Sequence, residues 1–349
     1  MFSYLGYIEV LELEHKIKSQ KVRLKDVAAE AGVSSCTASR ALNGTMLNKV
    51  SEETRQRILN VAESMGYKPN IMARGLARKR TNLLGVLLPE IRTSFLPQTL
   101  EGIWHAAEDA GMAVLLHSTD WQARKEGKYL YQLLEWQVDA IIWVPSGPEN
   151  IKAFSEVEKN TPVIQLFTDI KELASSKIVL DNEKGGYIAT KHLIEKGHTR
   201  IAHLSATTDH FTPAGKDRLR GYLRALQEAN LPIDEKLIVE SSYTAEGGRK
   251  AFREVVKYQP TAIFACSDMT AWGVIQQASL LGIRVPEDLA VVGFDNIHLS
   301  SLILPALTTV EQPQEKFGEI AVKQVIAALD NKPSEKITLE PRLIERKSS

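Results

Sequence analysis

The stretch LKDVAAEAGVSSCTASRALNG, residues 24–44, is short, alanine-rich and poor in large side chains. Leu24, Val27, Ala28 and Ala31 recur at helical spacing and stop at Gly32, a residue suited to ending a helix in the left-handed region. Ser34 is placed to cap a second helix running to about Leu42, so only GVS separates the two. Two short helices joined by so tight a turn form a helix-turn-helix, and Ala28, Ala31 and Ala38 are small because the helices cross closely. A third helix is expected from Ser51 to about Met65, with Glu52 and Glu53 in its first turn and Ile58, Val61, Ala62 and Met65 closing a miniature core.

Charge is distributed unevenly around this head. The chain as a whole is neutral, yet residues 22–80 hold eleven Lys and Arg against five Asp and Glu, while residues 1–21 balance at three each. The rest of the chain is therefore acidic, and a basic head on an acidic body is the asymmetry expected of a chain whose one end meets a polyanion. Residues 69–81 continue the basic run; Pro69 stops the preceding element, and Asn70 is placed to cap a short helix through Leu76. Gly75 costs that helix about 1 kcal/mol against alanine, so it is expected to order only against a partner.

From Asn82 the pattern changes. LLGVLLP (83–89), MAVLLHS (112–118), VDAIIWVPS (138–146), TPVIQLF (161–167) and KIVLD (177–181) are apolar strands, mostly separated by helical stretches. RIAHLS (200–205), LIVE (237–240), TAIFACS (261–267) and LAVVGFD (289–295) form a second series. Near-continuous apolar strands alternating with helices predict parallel sheets covered on both faces, and two series predict two α/β lobes. The 44% apolar and 25% charged composition is that of an ordinary globular chain. No apolar run is long enough to span a bilayer, and residues 1–20 lack a basic start and a small-residue cleavage site. With Cys36 and Cys266 far apart and read as free thiols, a cytoplasmic chain is expected, with no metal site and no cofactor. Neither a G-x-G-x-x-G after a strand nor a G-x-x-x-x-G-K-[ST] occurs, so hydride and phosphate enzymology are not expected.

DVAAEAGVSSCTASRALN (26–43) followed by VSEETRQRILNVAESMGYKPNIMARGLA (50–77) resembles the DNA-binding head of the lac repressor family of bacterial transcription regulators. LDNEKGGYIATKHLIEKGHTRIAHL, DRLRGYLRAL, SDMTAWGV, VPEDLAVVGFDN and PALTTVEQP, met in that order, resemble its effector domain. The resemblance covers about Val22 to the C-terminus and implies four parts. These are an extension outside the pattern (1–21), a helix-turn-helix domain (22–68), a hinge helix or linker (69–81) and a two-lobed sensor, similar to the periplasmic binding proteins, that also dimerises (82–349).

By that resemblance the second helix reads bases in the major groove through Ser35, Cys36 and Arg40, a phosphate contact being the alternative for Ser35, while Thr37, Ser39 and Arg23 contact phosphates. Arg40, four residues after Cys36, shares its face and suits a fork to guanine, a phosphate contact being the alternative. Cys36 is read either as touching a thymine methyl or as a small helical residue. In the hinge, Leu76 is implied as a minor-groove wedge, the alternative being packing on the sensor; Asn70, Arg74 and Arg78 are counted with it as DNA contacts. The implied partner is an inverted-repeat operator bound by a homodimer, with Trp272 and Leu280 placed either at the dimer interface or in the core. No leucine heptad follows RLIER (342–346), so a dimer rather than a tetramer is expected.

Ligands of doubly wound sheets sit beyond the carboxyl ends of strands. Glu90, Phe95, Ser146, Asp181, Asn182, Ser267, Asp268 and Asp295 fall there, with Tyr243 expected to cover a ring face; the resemblance adds Arg218 and Gln312. Carboxylates, an arginine and aromatic rings suit a polyhydroxylated ring such as a sugar or its derivative. Asp181 and Asp268 read equally as helix caps, and Arg218 as a partner for Asp217. The function expected is a transcription repressor controlled by an effector. The alternative is a solute-binding protein of the same sensor fold without a DNA function.

Overall fold

The computed structural model describes residues 22–43, 49–68, 80–91, 95–207 and 213–349. The expected extension (1–21) and the hinge residues Asn70, Arg74, Leu76 and Arg78 lie outside the described residues. The chain divides into two compact units meeting at Thr81 and Asn82.

In the first unit, helices α1 (Leu24–Glu30), α2 (Ser35–Asn43) and α3 (Glu52–Ser64) pack around Val27, Ala28, Ala31, Ala38, Ala41, Ile58 and Ala62. Gly32 takes φ +65° in the turn, where a Cβ would be strained. Ser34 Oγ accepts the Thr37 N–H at 3.1 Å and caps α2. Ser51 does the same for α3 through the Thr54 N–H at 3.3 Å. At α1 the cap position holds Arg23, which offers no such oxygen; instead Asp26 accepts the Arg23 backbone N–H at 2.8 Å.

The second unit contains two six-stranded sheets. Lobe 1 orders its strands β11-β5-β4-β3-β1-β2, all parallel: β1 (Leu83–Leu88), β2 (Ala113–Ser118), β3 (Ala140–Trp143), β4 (Val163–Leu166), β5 (Ser176–Leu180) and β11 (Lys336–Leu339). Lobe 2 orders β12-β10-β9-β8-β6-β7: β6 (Ile201–Ser205), β7 (Ile238–Glu240), β8 (Ala262–Ala265), β9 (Ala290–Asp295), β10 (Thr308–Glu311) and β12 (Arg342–Ile344). Only β12 runs antiparallel there. The inner strands are buried on both faces, which is why they read as nearly continuous apolar runs. The chain passes from lobe to lobe three times, after β5, after β10 and after β11.

Helices cover the sheets. Lobe 1 carries α4 (Leu96–Asp109), α5 (Ala123–Glu135), α6 (Ile151–Val157) and α11 (Gln314–Leu329). Lobe 2 carries α7 (Asn182–Glu195), α8 (Ala214–Glu228), α9 (Ala245–Val255) and α10 (Asp268–Leu280). The α7–α8 pair meets through Gly186 and Gly221, whose absent side chains let the backbones touch: a Cβ on Gly221 would stand 2.0 Å from the Glu183 carbonyl oxygen. Among the described residues no helix is long and apolar enough to cross a membrane, and no cluster of His, Cys, Asp and Glu is suited to a metal ion.

Candidate ligand cleft and nucleic-acid interface

On the first unit, α2 turns Ala38 and Ala41 into the core, so the opposite face is outward. Ser35 and Cys36 are exposed there, while Thr37, Ser39 and Arg40 are half-buried. Arg23 is exposed ahead of α1. The helix thus presents the residue types that read base edges and touch phosphates, on a scaffold with its own core.

In the second unit a cleft of about 110 Å³ lies at the carboxyl ends of both sheets, where side chains from the two lobes face each other. Of the residues expected there, Glu90, Phe95, Asn182, Arg218, Tyr243, Ser267, Asp295 and Gln312 line it.

Arg218, on α8, is 3% exposed. Its Nε donates to Asn182 Oδ1 at 3.0 Å and its Nη1 to the Cys266 carbonyl at 2.5 Å. The guanidinium lies 3.5 Å from the centre of the Phe294 ring, so it is fixed by two hydrogen bonds and a stacked face. Its expected alternative partner Asp217 pairs instead with Arg220. Asp295 ends β9 with φ +120°, a backbone region L-residues rarely occupy. The Gln314 side chain donates to the Asp295 carbonyl at 2.8 Å, and Gln312 Nε2 donates to Oδ1 at 2.5 Å, which holds that conformation in place. Burial raises the Asp295 pKa above the usual carboxylate range, with the nearby Asp268 adding to the rise and Arg218 opposing it.

Three expected residues do not line the cleft among the described residues. Asp268 is 1% exposed and turned into lobe 2, where it accepts the Ile297 N–H at 2.9 Å and the hydroxyls of Ser300 and Thr309 at 2.5 Å each. It joins the start of α10 to the turn after β9 and to β10. Asp181 accepts the Lys184 N–H at 2.8 Å and caps α7. Ser146 shares a 2.6 Å hydroxyl contact with Thr119, and its N–H donates at 2.8 Å to Glu126, a buried carboxylate that also accepts from Trp143 and Asn150. All three stand where a strand ends and a helix or turn begins, so a polar side chain there serves the backbone as readily as a ligand.

The cleft also holds residues that the strand-end rule passed over, chiefly Trp121, Val144, Phe167, Leu180 and Met269. Trp121 follows β2 in a loop where Asp120 and Trp121 take φ +51° and +57°, and its N–H donates to the Pro89 carbonyl at 3.2 Å. Phe167, at φ +64°, packs between Phe95 and Phe317 in tilted ring contacts with centres 4.8 and 4.5 Å away.

On the outer face of lobe 2, Trp272 is half-buried and Leu280 is 77% exposed. Together with Ile275, Ile303 and Leu304 they line a shallow groove that Arg249, Gln276 and Ser279 also border.

Residues 23–70 match the model of bacterial regulatory proteins of the lacI family, and residues 190–349 match a periplasmic binding protein-like domain. The HTH-type transcriptional regulator DegA of Bacillus subtilis (strain 168) is 37% identical over 338 residues, covering 94% of this chain and 98% of the relative. The lac repressor dimer bound to operator and the anti-inducer ONPF superposes with TM-score 0.83 at 26% identity, covering 94% of this chain and 99% of that one. A complex of the transcriptional regulator CelR with cellobiose superposes with TM-score 0.71 at 28% identity, covering 94% of this chain and 100% of that one.

Proposed function

This chain belongs to the lacI family of bacterial regulatory proteins and is a DNA-binding transcriptional repressor with a ligand-binding domain rather than an enzyme; from that premise we propose that its grip on DNA is set by a sugar or sugar derivative held between the two lobes. The single observation that carries this reading is the cleft in which Arg218 and Asp295, both buried and both fixed by neighbouring amides or carbonyls, face a wall of aromatic rings. A fixed guanidinium and a fixed carboxyl group bind hydroxyls strongly because their own desolvation has already been met in the folded chain. Rings cover the apolar face of a saturated ring.

The reader of the operator is α2. Arg40 forks to a guanine, Ser35 and Cys36 contact neighbouring base edges, and Arg23, Thr37 and Ser39 hold phosphates. Two copies bind an inverted repeat, joined in part through the groove at Trp272 and Leu280. The hinge residues Asn70, Arg74, Leu76 and Arg78 belong to the same contact. An effector acts by binding two lobe arrangements unequally; a thousandfold preference amounts to about 4 kcal/mol.

The test is fluorescence anisotropy with labelled DNA from upstream of the chain's own gene, at low and moderate salt, with and without a panel of sugars. Specific binding altered by one sugar supports the proposal. Specific binding that no sugar changes removes the carbohydrate effector and leaves the DNA function.

A further inference from the structure

The two walls of the cleft are chemically unlike. Five consecutive strands of lobe 1 each offer the cleft a residue at or beyond their carboxyl ends: Pro89, Trp121, Val144, Phe167 and Leu180, from β1 to β5 in turn. Apart from Glu90 and the Trp121 indole, the described residues of this wall bring no hydrogen-bonding side chain to the cleft. The facing wall and the crossovers carry Arg218, Ser267, Asp295, Asn182 and Gln312. A bare sugar has one apolar ring face and hydroxyls around its whole edge. One aromatic platform covers that face; three rings with Pro89, Val144 and Leu180 cover far more. Hydroxyls pressed against such a wall would lose water without gaining a partner.

We propose that the effector is an amphipathic glycoside. Its sugar edge bonds to Arg218, Asp295 and Gln312, and a flat, apolar, aryl-sized substituent lies against Phe95, Trp121, Val144 and Phe167. This rests on the carbohydrate reading of the cleft and adds the chemistry of the substituent. A nucleoside shares the shape, a hydroxylated ring bearing a flat group. Its base, however, carries ring nitrogens and exocyclic donors that would be buried against a wall offering two hydrogen-bonding side chains among the described residues. The observations therefore favour a hydrocarbon ring.

The experiment is isothermal titration of the full chain with matched methyl and phenyl glycosides of glucose, galactose, mannose and xylose in both anomeric forms, beside adenosine, cytidine and uridine. At least one phenyl glycoside is expected to bind about tenfold or more tighter than its methyl counterpart. Trp121→Ala is expected to weaken the phenyl glycoside at least about fivefold more than the methyl one, with Trp121→Phe in between. Should the alanine variant not fold, Val144→Thr, which exchanges a methyl for a hydroxyl at equal size, is expected to narrow the same phenyl-to-methyl ratio. Equal binding of methyl and phenyl forms would overturn the amphipathic effector while leaving a sugar in the cleft. Tightest binding by a nucleoside would overturn the aryl substituent. Failure of every glycoside, in protein that still binds its operator, would overturn the carbohydrate reading together with this one.

Discussion

Gly186 on α7 touches the backbone of Arg218 on α8: a Cβ on the glycine would stand 2.1 Å from the arginine's carbonyl oxygen. Asn182, which receives the Arg218 Nε–H, lies one turn before Gly186 on the same helix. The crossing of the two helices therefore sets where the guanidinium sits in the cleft. Gly186→Val should push α8 away, cost roughly 2 kcal/mol or more of stability and weaken ligand binding beyond that loss. Thermal melting beside titration of a bound sugar separates the two effects. Full-affinity binding by a folded Gly186→Val chain would show that Arg218 is positioned by something else.

The buried acids make stability depend on pH in a stated direction. Burial raises the native pKa of Asp295 and of Asp268 above the unfolded value. Between the unfolded and the native value the folded chain holds more protons, so this contribution falls as pH rises through that interval and is fully present below it. Asp295→Asn, which cannot ionise, should show a shallower decline of melting temperature across the interval. Identical slopes in the two proteins would mean that Asp295 is charged throughout.

Asp268 acts on the fold. Its carboxylate receives the Ile297 N–H and two hydroxyls in the interior of lobe 2. Asp268→Ala leaves those donors buried without their acceptor and should cost roughly 3 kcal/mol. The loss appears as a lower denaturation midpoint in the absence of any ligand. A variant of unchanged midpoint but weakened sugar binding would return Asp268 to the cleft.

DNA binding offers two separate readouts. If a dimer makes about eight phosphate contacts, log K should fall against log salt with a slope near −7. Arg40→Ala should relax preference at one base pair of each half-site by roughly 1–3 kcal/mol, whereas Arg23→Ala should lower affinity for all sequences alike. Anisotropy titrations on the operator and on single-base variants distinguish these outcomes.

Much of this architecture was legible because burial on both faces leaves a plain mark. β1, β3, β4, β8 and β9 read as nearly continuous apolar runs. β11 escaped notice because KITL is an edge strand with exposed polar positions, and an edge needs no such run. The strand-end rule located residues around the cleft, yet it could not separate those facing it from those serving the backbone, as Asp181 and Asp268 do. Nor could it find Trp121 or Phe167. Both take positive φ, and nothing in the residue types of Asp120-Trp121 or Leu166-Phe167 announces that turn. The small alanines of α1 and α2, by contrast, stated their packing outright.

Residues 336–349 belong to neither lobe alone. β11 completes one sheet and β12 the other, and the Ser348 carbonyl and hydroxyl receive the N–H groups of Val291 in β9 and Thr308 in β10. Both β11 and β12 must therefore be made before either lobe has its last strand, and removing residues 336–349 would strip an edge strand from both sheets at once.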